Sequence, residues 1–506
     1  MNLLRRKSIT DLQAEAETDH SLKRALGALN LTMLGIGAII GTGIFVLTGT
    51  VAAQNSGPAV VLSFVIAGAA SVFAALCYAE FASLVPMAGS AYTYGYATLG
   101  EFFAWVIGWD LMLEYALGAT TVAIGWSGYV VSFLHDIGWD VPAVLSAARG
   151  THLIQTPAHG WEVVSASLTQ QLAASGLDVS TLPHATAIFN LPAMLVIAFA
   201  TTLLVIGIRE SASVNNIIVF IKVGVVLLFI VGAAHAIHPS NWHPFIPPAE
   251  GPDHYGFGGV MTGAAIVFFA YIGFDAVSTA AQESRNPQRD MPIGIIGSLI
   301  VCTVLYILVS GIATGVMSYR QLDVPDPIAV AADHAGLGWM SSLIKLGAIA
   351  GLSSVIIVML LGQSRIFWTM SRDGLLPPWV SRVHPKFHTP WITSIVTGVV
   401  VAFFSALLPV REAASLVSIG TLLAFIIVSV GILFLRIRQP QLERPFKAPW
   451  IWFVAPMGAI SAAYLMKSLP LVTWARLLIW MAIGLVVYFT YSINRSKLAQ
   501  APAAGD

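Results

Sequence analysis

The sequence predicts an all-α polytopic membrane protein of about twelve transmembrane helices, with the first and sixth helices broken. Three observations carry this. Of the 506 residues, 57% are hydrophobic and only 10% charged, a composition that suits a bilayer and not a water-soluble domain. Apolar runs long enough to cross a membrane recur along the whole chain,. Two of those runs are interrupted by glycines at matching places in the two halves of the chain.

The polar, mixed-charge segment 1–29 has no short hydrophobic core followed by a cleavage site, so no removed leader is expected,. The first run, near 31–53, holds Gly35, Gly37, Gly41 and Gly43 within nine positions. Each glycine costs a helix about 1 kcal/mol relative to alanine, so a break near Gly41-Thr42-Gly43 is expected. At membrane depth the amides and carbonyls freed by a break must face protein, water or ligand, because lipid cannot satisfy them. The remaining runs lie near 59–83, 98–133, 187–207, 213–236, 258–281, 293–317, 338–369, 391–408, 413–436, 450–467 and 472–491. The third and eighth exceed what a bilayer needs, and are expected to tilt or project beyond it. A C-terminal tail, 492–506, follows the last.

Basic residues set the orientation. With the N-terminus cytoplasmic, 18 Lys and Arg fall on that side and 5 on the other, which predicts both termini inside and a multi-pass protein of the cell (inner or plasma) membrane. The outer loop 134–186 is long and rich in Ser, Thr and Gly; a surface cap and a partly disordered segment are both compatible with it,. Nine of the twelve histidines fall in or beside outer loops without tight ligand spacing, and are read as ordinary loop residues. Cys77 and Cys302 lie within apolar runs as small hydrophobes, offering neither a disulfide framework nor a metal site,. No metal, cofactor or nucleic-acid partner is expected; the lipid bilayer is.

In the sixth run Gly258-Gly259, Gly263 and the stretch Phe268 to Asp275 interrupt or strain the helix. The first break opens runs one to five and this one opens runs six to ten. That placement points to a transporter built from two inverted five-helix repeats, 30–236 and 258–436, with a site between them at the midplane. Runs eleven and twelve, 450–491, are then additions.

Four motifs carry a family resemblance: Gly41-Thr42-Gly43-Ile44-Phe45; Tyr78-Ala79-Glu80-Phe81-Ala82 through Pro86, Gly89 and Tyr92; Glu283-Ser284-Arg285-Asn286-Pro287-Gln288-Arg289-Asp290-Met291-Pro292; and Ser371-Arg372-Asp373-Gly374-Leu375-Leu376-Pro377. In order and spacing they resemble the amino acid–polyamine–organocation permeases, and among these the cationic amino acid transporter subfamily with its bacterial members. The resemblance spans about Leu26 to Pro449. It implies a LeuT-like fold and an amino acid substrate, with alternating access around a midplane site.

Charge complementarity agrees. An amino acid carboxylate suits the amides of Gly41, Thr42 and Gly43 at the positive end of a half-helix. Its ammonium suits carbonyls freed where the helices unwind, placed at Ile39, Phe269, Ala270 and Ile272. Lys222 lies mid-run in the fifth helix, too far from either end to snorkel comfortably. A buried amine can lose and regain a proton near neutral pH. In related proton-coupled members a lysine at this place resembles a built-in replacement for a sodium ion, with the proton as coupling ion. The Gly37 carbonyl and the Ser353 and Ser354 hydroxyls are its candidate neighbours. Lys345, nearer the outer end of the eighth run, is expected to snorkel.

Glu114 resembles the subfamily's acid near the substrate side-chain pocket; a direct contact, a pairing with Lys222 and a structural role all stay open. Glu80, Asp110, Asp275 and Glu283 are expected as gate or helix-end contacts pairing with Arg285, Arg289, Arg365 or Arg372. Met359 is a bulky candidate for the pocket wall, which favours small or branched neutral amino acids over arginine or lysine. Import by proton symport is the reading; transport of cationic amino acids, exchange and a non-transporting sensor are its alternatives. An intramembrane enzyme is disfavoured, because no HExxH, GxSxG or paired-aspartate motif occurs in the runs,. Which amino acid is carried, the oligomeric state and an accessory small membrane subunit stay open.

Overall fold

The structure is a computed structural model and describes residues 5–7, 26–84, 90–156, 160–164, 168–169, 172–173, 176–207, 212–279, 281 and 284–500. Pro86, Gly89, Glu283 and, among the 18 basic residues assigned to the cytoplasmic side, Lys23, Arg24 and Arg209 lie outside the described residues, as do residues 501–506 of the tail. Among the described residues seven helices are long and apolar enough to cross a membrane, and five apolar helices of 10–17 residues accompany them. Twelve spans follow, in the order expected.

The first span comprises Ala28–Ile39 and, past a break, the helical turns Gly43–Leu47, Thr48–Val51 and Ala52–Ser56. The second is Val60–Leu84, the third Glu101–Asp136, the fourth Leu191–Ile206 and the fifth Ala212–Ala233. The sixth begins with Gly256–Val267 and ends with Ala276–Thr279. Pro287–Val316, Gly338–Arg372, Trp391–Leu407, Val410–Arg438, Ile451–Lys467 and Leu471–Val487 complete the set. The third packs along the eighth and tenth, and the seventh along the second and the first half of the first. Two short helices between spans, Ser90–Thr98 and Pro327–His334, were not visible in the hydropathy pattern. The third span's 36 residues reach about 54 Å at 1.5 Å per residue, so it crosses the whole molecule and projects beyond a 30 Å hydrocarbon core.

Local chemistry places the span ends. Asn190 caps the fourth span by accepting from the Ala193 amide at 3.1 Å, Pro192 sits in its first turn, and Gly207 ends it at φ +85°,. Two family motifs turn out to be such junctions. Asn286-Pro287 starts the seventh span, with Asp290 accepting from the Asn286 amide at 3.3 Å. Asp373-Gly374 ends the eighth at φ +80° for Gly374. Asp373 also joins segments from opposite ends of the sequence: it accepts from Lys7 Nζ at 2.6 Å, from Tyr92 Oη at 2.6 Å and, on its carbonyl, from the Lys497 amide at 3.0 Å.

Two expectations are corrected. Glu80, fully buried, pairs not with the arginines after the sixth or eighth spans but with Arg436, whose two nitrogens donate at 2.8 Å each; Arg444 adds a second guanidinium at 3.3 Å and the Ala448 amide donates at 2.8 Å. Lys345 does not snorkel to the interface: it is 4% exposed and lies 2.6 Å from Asp136 and 3.8 Å from Asp326. In the outer loop 134–186 the described residues form a cap, the first of the two alternatives the sequence left open. Its strands β1 (His152–Thr156), β2 (Gly160–Val163) and β3 (His184–Thr186) pair antiparallel in the order β2-β1-β3, over a small cluster of Ala143, Leu153 and Ala187.

Removing one partner of a buried ion pair strands the other's charge, at about 3–5 kcal/mol. Arg436→Met should therefore lower stability by about that amount, read as a fall in the thermal unfolding midpoint of the detergent-purified protein.

Candidate functional site

The first span stops helically at Ile39, where Ile40 turns to φ −71°, ψ 97°, and resumes at Gly43. The carbonyls this exposes are taken by side chains from other spans. Lys222 Nζ, fully buried on the fifth span, donates to Gly37 O at 2.7 Å and to Ile40 O at 3.1 Å. Tyr306 Oη of the seventh span lies 2.8 Å from Ile39 O and 2.7 Å from Ala270 O. One hydroxyl proton serves those two carbonyls, so one of them has an unused bond at any moment. Tyr129 donates to Phe45 O at 2.7 Å.

The sixth span breaks over a tight turn, Phe268–Tyr271, followed by Ile272 at ψ 137° and Gly273 at φ +118°. Phe269 O accepts from the Ile272 amide at 3.1 Å, and Tyr271 Oη donates to Phe64 O at 2.7 Å. Gly258, Gly259 and Gly263, expected to help interrupt this span, lie inside the unbroken helix Gly256–Val267. They serve close packing instead: a Cβ on Gly259 would lie 2.2 Å from Asn55 O, and one on Gly263 2.1 Å from Ser56 Oγ,.

The two breaks touch backbone to backbone. A Cβ on Gly43 would lie 2.3 Å from Ala270 Cβ, and one on Gly273 2.9 Å from the carbonyl carbon of Ala38. Only glycine permits that approach, and at Gly273 only glycine adopts the backbone angle without strain. The structure thus brings Ile39, Gly41, Thr42, Gly43, Phe269, Ala270 and Ile272 to one place, all buried. Thr42 Oγ1 is buried there without a hydrogen-bond partner.

Met359 on the eighth span packs against the third, its sulfur 3.4 Å from where a Gly118 Cβ would stand, one turn from Glu114,. Glu114 is 2% exposed and neither carboxyl oxygen has a hydrogen-bond partner, so the pairing with Lys222 considered above is not formed. Asp110, four residues earlier, is equally buried and unpartnered. Tyr115 reaches Asp275 Oδ2 at 3.4 Å. Of the two serines expected near Lys222, Ser353 bonds to Ile349 O and accepts from the Trp126 indole at 2.9 Å. Ser354 bonds to Gly351 O at 3.1 Å, and it is Gly351 that the lysine stem crosses, with its Cγ 2.8 Å from where a Cβ would be. Tyr306 and the Ile40 carbonyl were missed from the sequence; a tyrosine inside an otherwise apolar run was the available signal. Among the described residues no cluster of His, Cys, Asp or Glu is placed to hold a metal ion.

Comparison with known proteins adds to this geometry. Residues 26–493 match the family model described as amino acid permease. The chain is 48% identical over 500 residues to the branched-chain amino acid permease of Bacillus subtilis, covering 99% of each. It is 43% identical to the methylthioribose transporter of the same organism, covering 98% of this chain and 99% of that one. It is 34% identical to cationic amino acid transporter 4 of Homo sapiens, covering 84% of this chain and 62% of that one.

Tyr306→Phe deletes the hydroxyl that joins both breaks and leaves two buried carbonyls short of a donor. A loss of about 1–3 kcal/mol is expected, visible as a lower midpoint in thermal unfolding of the purified protein.

Proposed function

The chain belongs to the amino acid permease family, and from that premise we propose a secondary active transporter that imports small or branched neutral amino acids by proton symport. One observation supports this above all: two interrupted helices face each other, glycine against backbone, beside the ammonium of a buried lysine.

The substrate carboxylate takes the amides of Gly41, Thr42 and Gly43, where a half-helix begins and its dipole is positive. The unpartnered Thr42 hydroxyl donates to the same group. The substrate ammonium takes the carbonyls of Ile39, Phe269, Ala270 and Ile272. Two of these already receive the Tyr306 hydroxyl, and each has a second lone pair to offer. Glu114 and Met359 bound the side-chain end. Met359 leaves little room for a long cationic side chain, which agrees with the branched-chain name of the Bacillus relative.

Lys222 is the proton-coupling group. Charged, it ties the fifth span to the two carbonyls at the break of the first; neutral, it holds them less firmly. Its proton thereby biases the bundle between outward and inward openings, and Ser353 and Ser354 mark the neighbouring surface of the eighth span. Two five-helix repeats, 30–236 and 258–436, move around this centre, with both termini cytoplasmic and loop 134–186 outside the plasma membrane. The alternatives are carriage of arginine or lysine, exchange without net proton movement, and sensing without transport. The name of the second Bacillus relative adds methylthioribose to the substrates worth testing.

Purified protein in liposomes, offered labelled amino acids and methylthioribose under separately imposed pH and sodium gradients, tests the whole reading. Uptake of leucine, valine or alanine driven by an inward proton gradient is expected; uptake driven by sodium alone overturns the coupling, and uptake of methylthioribose alone overturns the substrate class. Lys222→Met should abolish pH-driven uptake while substrate binding stays measurable, and unchanged pH-driven uptake rules the lysine out. Met359→Ser should let arginine compete with leucine. An unaltered competition profile removes Met359 from selectivity.

A further inference from the structure

Away from the broken helices lies a partly open space. A cavity of about 590 Å³ opens beneath the β cap, between the far end of the third span, the short helix Pro327–His334 and the eighth span. Ligand pockets typically measure about 300–1,000 Å³, so it has room for one amino acid and its waters.

Its lining is of two kinds. One wall is apolar and comes partly from the cap, with Leu153, Trp161, Leu172, Met317 and Val330. The other is charged. Lys345 is the lysine of the lining, 2.6 Å from Asp136 and 3.8 Å from Asp326; Asp140, Glu162, Asp323 and Asp333 line the same space, with Asp140 paired to His135 at 2.7 Å. These groups are held in place: Asp326 accepts from Ser132 at 2.6 Å, Asp333 from Ser341 at 2.8 Å and Asp323 from Gln54 at 2.9 Å. Burial holds the Asp323 carboxyl above the usual carboxylate range, against the pull of Gln54 and Arg411,. The excess of acids attracts an ammonium. Lys345 has three donors and gives one to Asp136 at 2.6 Å, so it can also receive a carboxylate. Both ends of a zwitterion find an opposite charge here, and an aliphatic side chain finds the cap wall.

We propose that this cavity is a second, outer amino acid site, which holds a neutral aliphatic amino acid under the β cap before it passes to the midplane. The proposal rests on the transport reading above and on its orientation. It gives the cap a function: without β1 and β2 the apolar wall loses Leu153 and Trp161 and the charged wall faces open water, where its interactions are screened,.

The test counts ligands. Labelled leucine is titrated onto the full chain in nanodiscs, and leucine uptake is measured on the same protein in liposomes. Two bound leucines per wild-type protein are expected. Lys345→Met should leave one; because that change strands Asp136 and Asp326, Trp161→Ala on β2 supplies an independent variant. In Trp161→Ala the outer leucine should be lost and the half-saturating concentration for uptake raised about fivefold. Wild-type protein that carries leucine but binds only one molecule overturns the outer site and leaves the transport reading intact. Two molecules bound in wild type and in both variants overturn it as well, since the second then sits elsewhere. Wild-type protein that neither binds nor carries any amino acid overturns the transport reading itself.

Discussion

A broken helix inside a membrane has to place the amides and carbonyls it frees, and lipid accepts none of them. The rest of this structure is arranged around that requirement. Gly37 O and Ile40 O go to the ammonium of Lys222, Ile39 O and Ala270 O share the hydroxyl of Tyr306, and Phe45 O goes to Tyr129. Each donor comes from a different span, so the same bonds that satisfy the backbone also tie the third, fifth and seventh spans to the first.

Such bonds are reversible in a way that apolar packing is not. A hydroxyl shared between two carbonyls, or an ammonium that exchanges its proton, can pass its acceptor to another donor with little change in shape. The glycine contacts around them, Gly43 on Ala270 and Gly273 on Ala38, bring the two backbones into direct contact with no side chain between.

Farther out, charge is concentrated at the two ends of the third span. At one end Glu101 receives Tyr96, Tyr488 and Ser496, and its amide donates to Arg5 O, so the segments around Arg5 and Ser496 dock beside it. At the other end Asp136 meets Lys345 under the cap. Between them, Asp110 and Glu114 stay buried and without hydrogen-bond partners. Unsatisfied carboxyls at that depth are expensive, which singles out the interface of the third span with its neighbours as a place where function, and not stability, sets the residue.

Periodicity, composition and glycine placement were enough to determine the membrane class, the twelve spans and both breaks, because helix length and the cost of glycine are local properties that each run carries by itself. The four motifs were legible too, and with them the set Ile39, Gly41, Thr42, Gly43, Phe269, Ala270 and Ile272. Partnership was not. That Glu80 meets Arg436, that Lys345 meets Asp136, that Tyr306 bridges two spans and that 152–156, 160–163 and 184–186 form a sheet are matters of residues apart in the chain. Any of several arginines satisfied the charge rule for Glu80, and any outer lysine could have reached water. Only the packing of the spans decided which side chain stood within 3 Å of which group, since hydrogen-bond and ion-pair energies depend on distances that no local pattern encodes.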